Sequence, residues 1–202
     1  MQVILGDQQI VFENKLSVIE DILNYVQQHL EKSEEQLSHF IVDGVDVYEN
    51  QDQYLAEHID DIQTIEVVCK TVAELVIEIL LSTKEYVERA LPQIEELADE
   101  FYQGPSTKSW DTFRQLLEGI QWLAHMLTSI DQSEYQPSNW NAYIHCWQQL
   151  QQQLPEVEDA LVQDDTIVVA DLLLYEIVPI LNKLLNEVKT TLEHEGKHHD
   201  LN

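Results

Sequence analysis

Eight histidines, two cysteines and 38 acidic residues are the side chains through which this 202-residue chain could hold a metal or move a proton. Metal chemistry needs such residues at short helical or hairpin spacings. The histidines form no two-His, one-Glu helical pattern of the zinc-protease kind, and Cys69 and Cys146 each lack a paired neighbour. His194, Glu195, His198 and His199 do cluster, but in a C-terminal tail expected to fray from about residue 194, where metal binding is adventitious. Asp171 and Glu176 sit in the most apolar segment, where burial would raise their proton affinity and suit them to acid–base work. No Glu-x-x-His element elsewhere completes a di-metal site around them. Nucleophile elbows are absent, and five glycines leave little room for a phosphate-binding loop. These residues point to no catalytic group, no cofactor and no metal ligand. An enzyme using Asp171 and Glu176 ranks third, behind two binding roles.

The charge balance separates those two roles. Ten basic residues against 38 acidic ones give a formal net charge of −28. Residues 1–70 carry 15 acids and 3 bases, and the remainder carries 23 and 7, so the excess is not a local tail. Nucleic acid and anionic membranes are excluded as partners, since both are bound through clustered Lys and Arg. The apolar run Ile167 to Leu185 contains Asp171, Glu176, Asn182 and Lys183, each costly at a bilayer centre, and reads as a buried helix of a soluble protein. Met1 to Asp7 has no basic region of a secretory signal, and two cysteines in apolar surroundings fit reduced thiols, so a cytoplasmic location is expected. Within this acidic chain, Tyr135 to Pro155 holds no charged residue. Trp140, Tyr143, Ile144, Trp147 and Leu154 form its apolar stripe. Asn141, His145, Gln148, Gln149 and Gln152 lie on the other face and offer hydrogen bonds without repulsion, a surface for a homodimer or another protein.

Positioning these residues requires two regions. The first, residues 1–70, opens with apolar runs Met1–Leu5 and Gln9–Phe12 around the turn Gly6-Asp7, a hairpin pattern. Ser17 and Glu20 predict a capping box, followed by a helix to about Leu30 with Val18, Ile22, Val26 and Leu30 along one stripe. His39–Val42 predicts the next strand, ended at Asp43-Gly44. Thr64–Cys69 predicts the last, with Ile65, Val67 and Cys69 on one side. In the order and spacing of Met1-Gln-Val-Ile, Ser17-Val-Ile-Glu20, Phe40-Ile-Val-Asp-Gly44 and Thr64-Ile-Glu-Val-Val68, this region resembles ubiquitin and the β-grasp domains similar to it. The resemblance implies that Ile41 and Val68 face outward, where ubiquitin carries part of its partner-binding patch. It stops there: no Gly-Gly terminus follows Lys70, so conjugation is not implied.

The second region, residues 71–202, starts at a further capping box, Thr71 with Glu74, so a helix is expected directly after the last strand and rigidly joined to it. Helices are expected from there to Gly104-Pro105, over about Ser109–Ile130, from near Ser138, and over about Asp165–Leu192. Pro92 kinks or restarts the first, and the fourth is the most buried. Short loops between them predict an antiparallel four-helix bundle. The expected whole is α+β: a ubiquitin-like β-grasp domain followed by that bundle, acting as a non-catalytic protein-interaction module, adaptor or regulatory subunit. The alternative is an acidic chaperone or nucleic-acid mimic that sequesters a basic client protein.

Overall fold

A computed structural model describes residues 1–33 and 35–199, the last four of these by their backbone alone. The fold is α+β, and the chain divides into two compact units, Met1–Leu75 and Val76–Asn202. No helix among the described residues is long and apolar enough to cross a membrane.

The first unit is a five-stranded mixed sheet with two helices. Strands β1 (Gln2–Leu5) and β2 (Gln8–Val11) pair antiparallel across the two-residue loop Gly6-Asp7, with Gly6 in the left-handed region at φ +55°. Strands β3 (Glu35–Val42), β4 (Val45–Val47) and β5 (Thr64–Thr71) complete the order β2-β1-β5-β3-β4, in which β1 and β5 are parallel. Helix α1 (Val18–Leu30) buries Ile19, Ile22 and Val26 in a core shared with Val3, Leu5, Phe40, Val42, Ile65 and Val67. Strand β4 and helix α2 (Gln51–His58) were not foreseen. The one spans three residues and the other buries only Leu55, too little apolar repeat to register as an element.

Two local interactions hold the turns. Asn14 accepts from the Met1 nitrogen at 2.7 Å and donates to the carbonyls of Ile59 and Ile62 at 2.8 Å each, tying the end of the first hairpin to the segment before β5. Asp43 and Gly44 both have positive φ, +47° and +85°, in the tight turn between β3 and β4. From there Asp43 accepts the amides of Gln63 (3.1 Å) and Thr64 (2.7 Å) and the Thr64 hydroxyl. The capping box expected at Ser17 does not form. Val18 and Ile19 already give their amides to the carbonyls of Lys15 and Leu16, which puts Ser17 in helical geometry, whereas a capping residue is extended. The one expected at Thr71 does form. The Thr71 amide donates to Glu74 Oε2 at 2.7 Å and the Glu74 amide to Thr71 Oγ1 at 3.2 Å.

The helical unit is built from α3 (Val72–Gln103), whose start belongs to the first unit, α4 (Thr107–Asp131), α5 (Trp140–Val162), α6 (Thr166–Leu172) and α7 (Val178–His199). A π-helical turn, Leu173–Ile177, joins the last two. Helix α3 ends before Gly104 at φ +99°, and Ser106 with Ser109 caps α4. Pro92 and Pro155 both lie inside helices that continue through them, so Pro92 does not restart α3. The C-terminal residues expected to fray continue α7 as far as His199. Neighbouring helices run antiparallel. Tyr86 meets Trp122 while Phe101 meets Phe113, Trp140 bonds Asp131, Tyr143 bonds Thr191, and Glu88 pairs with Lys189 while Tyr102 bonds Asp171. The buried face of α4 runs through Phe113, Leu116, Ile120, Leu123 and Leu127, and Leu117 is 39% exposed beside it. The last helical stretch, from α6 into α7, buries the largest share of its described residues, although Ile167, Val168 and Tyr175 are exposed.

Desolvation pushes the Asp43 carboxyl upward, but the Thr64 and Gln63 hydrogen bonds outweigh it and hold its pKa below the ordinary 3.8. A depressed carboxylate stabilises the fold above its unfolded-state value and loses that contribution as pH falls through the folded-state value. Asp43→Asn, which tolerates the same left-handed backbone, should flatten this acid-limb loss of stability in the first unit. Amide hydrogen exchange of β3 and β5 between neutral and strongly acidic pH will show it.

Candidate functional site

The uncharged stretch noted in the sequence becomes the first half of α5 and the loop before it. Trp140, Tyr143, Cys146 and Leu150 are buried, with Ile144, Trp147 and Leu154 half-buried beside them. Burial pushes the Cys146 thiol above its usual pKa, consistent with a packing role. On the opposite side Asn141, His145, Gln148 and Gln152 are exposed, spaced four, three and four residues apart, which places them on one stripe. Gln149 borders that stripe and is half-buried. None of these five side chains makes a hydrogen bond with any described residue. Their capacity for pairing is unused.

What fixes the rotation of α5, and so points this stripe outward, is a buried polar cluster that sequence reasoning missed. Tyr143 is fully buried, and its hydroxyl lies 2.7 Å from Thr191 Oγ1 on α7. Thr191 has one hydroxyl hydrogen, directed to Asn139 Oδ1 at 2.7 Å, so Tyr143 is the donor to Thr191. Asn139 Nδ2 donates to the Glu187 carboxylate at 2.9 Å, and Trp140 Nε1 to Asp131 at 2.9 Å. Tyr135 donates to Glu195. Burial, reinforced by nearby carboxylates, pushes the Tyr143 and Tyr135 phenols well above the ordinary tyrosine range, so both remain protonated donors. The available signal was polar: Asn139 and Thr191 are uncharged residues beside an aromatic-rich helix start and an apolar one.

In the first unit, β3–β5 pairing sets His39 opposite Val68 and Ile41 opposite Glu66, while Phe40 opposite Val67 and Val42 opposite Ile65 enter the core. Ile41 and Val68 therefore lie diagonally on the outer face of the sheet, both half-buried. Beside them His39 is buried under the stacked ring of Tyr48, centroids 4.5 Å apart, with Asp46 at 3.7 Å; Tyr48 itself is 61% exposed. His39 and Tyr48 had no role in the sequence reading, since only the β3–β4 hairpin brings them together.

Asp171 and Glu176 are both exposed, so the burial on which an acid–base role depended is missing. Asp171 instead accepts a hydrogen bond from Tyr102, which pushes that phenol up to about 12. Among the described residues no three His, Cys, Asp or Glu side chains are grouped to hold a metal ion. The side chains of His198 and His199 lie outside the described residues, and Glu195 is engaged by Tyr135.

Residues 78–187, more than half of the chain, match a family described as Domain of unknown function (DUF8042). The chain belongs to the DUF8042 family. The matched span holds α4, α5 and α6 whole, with most of α3 and the first part of α7. Residues 1–71 match a second family model, described as the TP0873 N-terminal domain, which ends on the last residue of β5. No curated protein and no solved structure matches the chain.

Thr191→Val leaves the Tyr143 hydroxyl buried without an acceptor and should cost about 1–3 kcal/mol, whereas Tyr143→Phe removes the orphan with the bond and should cost about 1 kcal/mol. The double variant should be less destabilised than the two single losses added together. All four tryptophans lie in the helical unit, so urea unfolding followed by their fluorescence reads this unit directly.

Proposed function

We propose that this protein is a non-catalytic protein-interaction module whose main contact is the uncharged outer stripe of α5, joining two copies of the chain. The observation that supports it is the exposed row Asn141, His145, Gln148 and Gln152, with no side-chain hydrogen bond to any described residue, in a chain of net charge −28. Two copies repel over most of their surfaces. The lowest-cost contact is the one that brings no carboxylates together, and amides, each both donor and acceptor, can pair with themselves across a two-fold axis.

The same proposal takes the first unit as a ubiquitin-like β-grasp domain. In its favour stand the strand order β2-β1-β5-β3-β4, the central parallel pair and the single long helix against one face. Ile41, Val68 and the His39–Tyr48 stack on the outer face form its contact surface for another protein. The helical unit is taken as an antiparallel four-helix bundle, in which α6 and α7 count as one helix through the π turn. The cyclic series of contacts from α3 to α4, α5, α7 and back to α3 supports this.

Gln148→Glu with Gln152→Glu adds four like charges to a two-fold contact with little change in helix propensity. Analytical ultracentrifugation should find the unaltered protein dimeric and this variant shifted to monomer. A wild-type protein that stays monomeric at high concentration would sink the homodimer reading. Capture of a basic client that is released steeply by added salt would instead support the acidic-chaperone reading.

A further inference from the structure

A groove in the helical unit lies between α3 and α4, well apart in sequence from the α5 stripe. Its two stretches enclose about 210 and 230 Å³ and share Gln93, Leu97, Thr112 and Gln115, so they form one continuous channel. Either stretch alone is smaller than the ~300 Å³ at which sites for drug-sized ligands begin, so an occupant held in the first stretch alone is a small molecule.

The first stretch has an apolar floor, Ala90, Ile94, Leu97 and Leu116, all buried. Above it stand hydrogen-bonding side chains and one cation, Arg89, without a single carboxylate. That composition is unusual in a chain with almost four acids per base. Arg89 makes no ion pair with any described residue; its Nε donates only to the Glu85 carbonyl of its own helix, at 3.3 Å. The neighbouring Glu88 is occupied by Lys189 at 2.8 Å and Lys84 at 3.8 Å, so it does not neutralise Arg89. In the second stretch Glu96 and Glu100 line the wall with Lys108, and their charge confines an anionic group to the Arg89 end.

The wall at that end is built by a close approach. A Cβ at Gly119 of α4 would come within 1.4 Å of the Tyr86 hydroxyl, so the ring occupies the space that any other residue would fill. A glycine inside a helix costs about 1 kcal/mol relative to alanine, and here it admits the Tyr86 ring against the backbone. Trp122 meets the same ring at 5.6 Å and holds it from the side. Burial raises the Tyr86 phenol above its ordinary value, so it stays a neutral donor at the groove edge.

We propose that this groove binds small monocarboxylates with an apolar body, the carboxylate meeting the Arg89 guanidinium and the body resting on Ile94, Leu97 and Leu116. Arg89 supplies a forked donor suited to a carboxylate, with Tyr86 and the Gln93 and Gln115 amides as further donors in reach of the channel.

The probes are phenylacetate and isovalerate, with phenylacetamide and isovaleramide as uncharged counterparts, each titrated into the full chain and followed by backbone amide NMR. Saturable shifts confined to residues around 86–97 and 112–119 are expected for at least one carboxylate in the millimolar range. Its amide counterpart should bind about tenfold more weakly or worse, since it lacks the charge-assisted bond. Arg89→Gln, an exposed change that spares the core, should bring the carboxylate down to the level of its amide. Gly119→Ala gains helix propensity, so it should fold, yet it displaces Tyr86 and should weaken the carboxylate severalfold. The proposal is overturned if neither carboxylate saturates, if the amides bind as tightly, or if Arg89→Gln leaves the affinity unchanged.

Discussion

A chain with 38 acidic and 10 basic residues can bring surfaces together only where the carboxylates are elsewhere or individually accounted for. Both units obey this constraint. The core of the first unit is drawn from Val, Ile, Leu and Phe side chains, and among the described residues the buried polar ones are His39, Thr83, Ser109 and Thr191. None of the four is acidic. Several carboxylates, half-buried at Glu187 and Glu195 and exposed at Asp131 and Asp43, have a specific donor: Glu187 takes Asn139, Asp131 takes Trp140, Glu195 takes Tyr135, and Asp43 takes two amides and a hydroxyl. With so few cations available, these neutral donors perform the role that Lys and Arg play in less acidic proteins. Such bonds are directional, and each fixes the orientation of the element that carries the donor.

The Tyr143–Thr191–Asn139 cluster is where this matters most for the surface. A helix whose buried stripe is purely apolar can rotate a few degrees at little cost, because dispersion contacts are numerous and individually weak. A fully buried phenol with one acceptor cannot, since losing that acceptor strands a polar group in the core. The buried bond therefore determines which residues of α5 face solvent. The outward stripe follows from the inward tyrosine.

Much of the first unit was legible because its strands alternate and its helix repeats: Ile65 and Val67 entered the core as period-two reasoning requires, and Ile41 and Val68 came out on the other face. The short elements were not legible. Val45–Val47 has too few residues to show a period, and Gln51–His58 buries one leucine. The Ser17 box failed because a capping motif specifies residue types, while the outcome turned on whether the preceding backbone had already begun to turn. In the helical unit, helix positions followed from apolar spacing, but rotation did not. Leu116 and Leu117 differ by one position, and only packing against α3 chooses between them. Of the two outcomes open for Pro92, a kink or a restart, the helix is not restarted: apolar contacts on both sides of the proline let it continue despite the lost hydrogen bond. As for the sites, the absence of charge between Tyr135 and Pro155 was visible in the sequence. The α3–α4 groove was not, since Tyr86 and Gly119 are 33 residues apart and nothing local links them.

The two family matches, 1–71 and 78–187, leave between them only the first turns of α3. That gap coincides with a piece of structure whose stability is local. Thr71 and Glu74 exchange side-chain and backbone hydrogen bonds within four residues, satisfying amides that a helix start otherwise leaves without partners. A helix begun this way needs nothing from the residues beyond Leu75 to set its first turn. The first unit's core likewise draws only on residues 1–69. The first matched segment thus carries the residues of its own core, whereas the second leaves out Thr191, the acceptor of the buried Tyr143 hydroxyl.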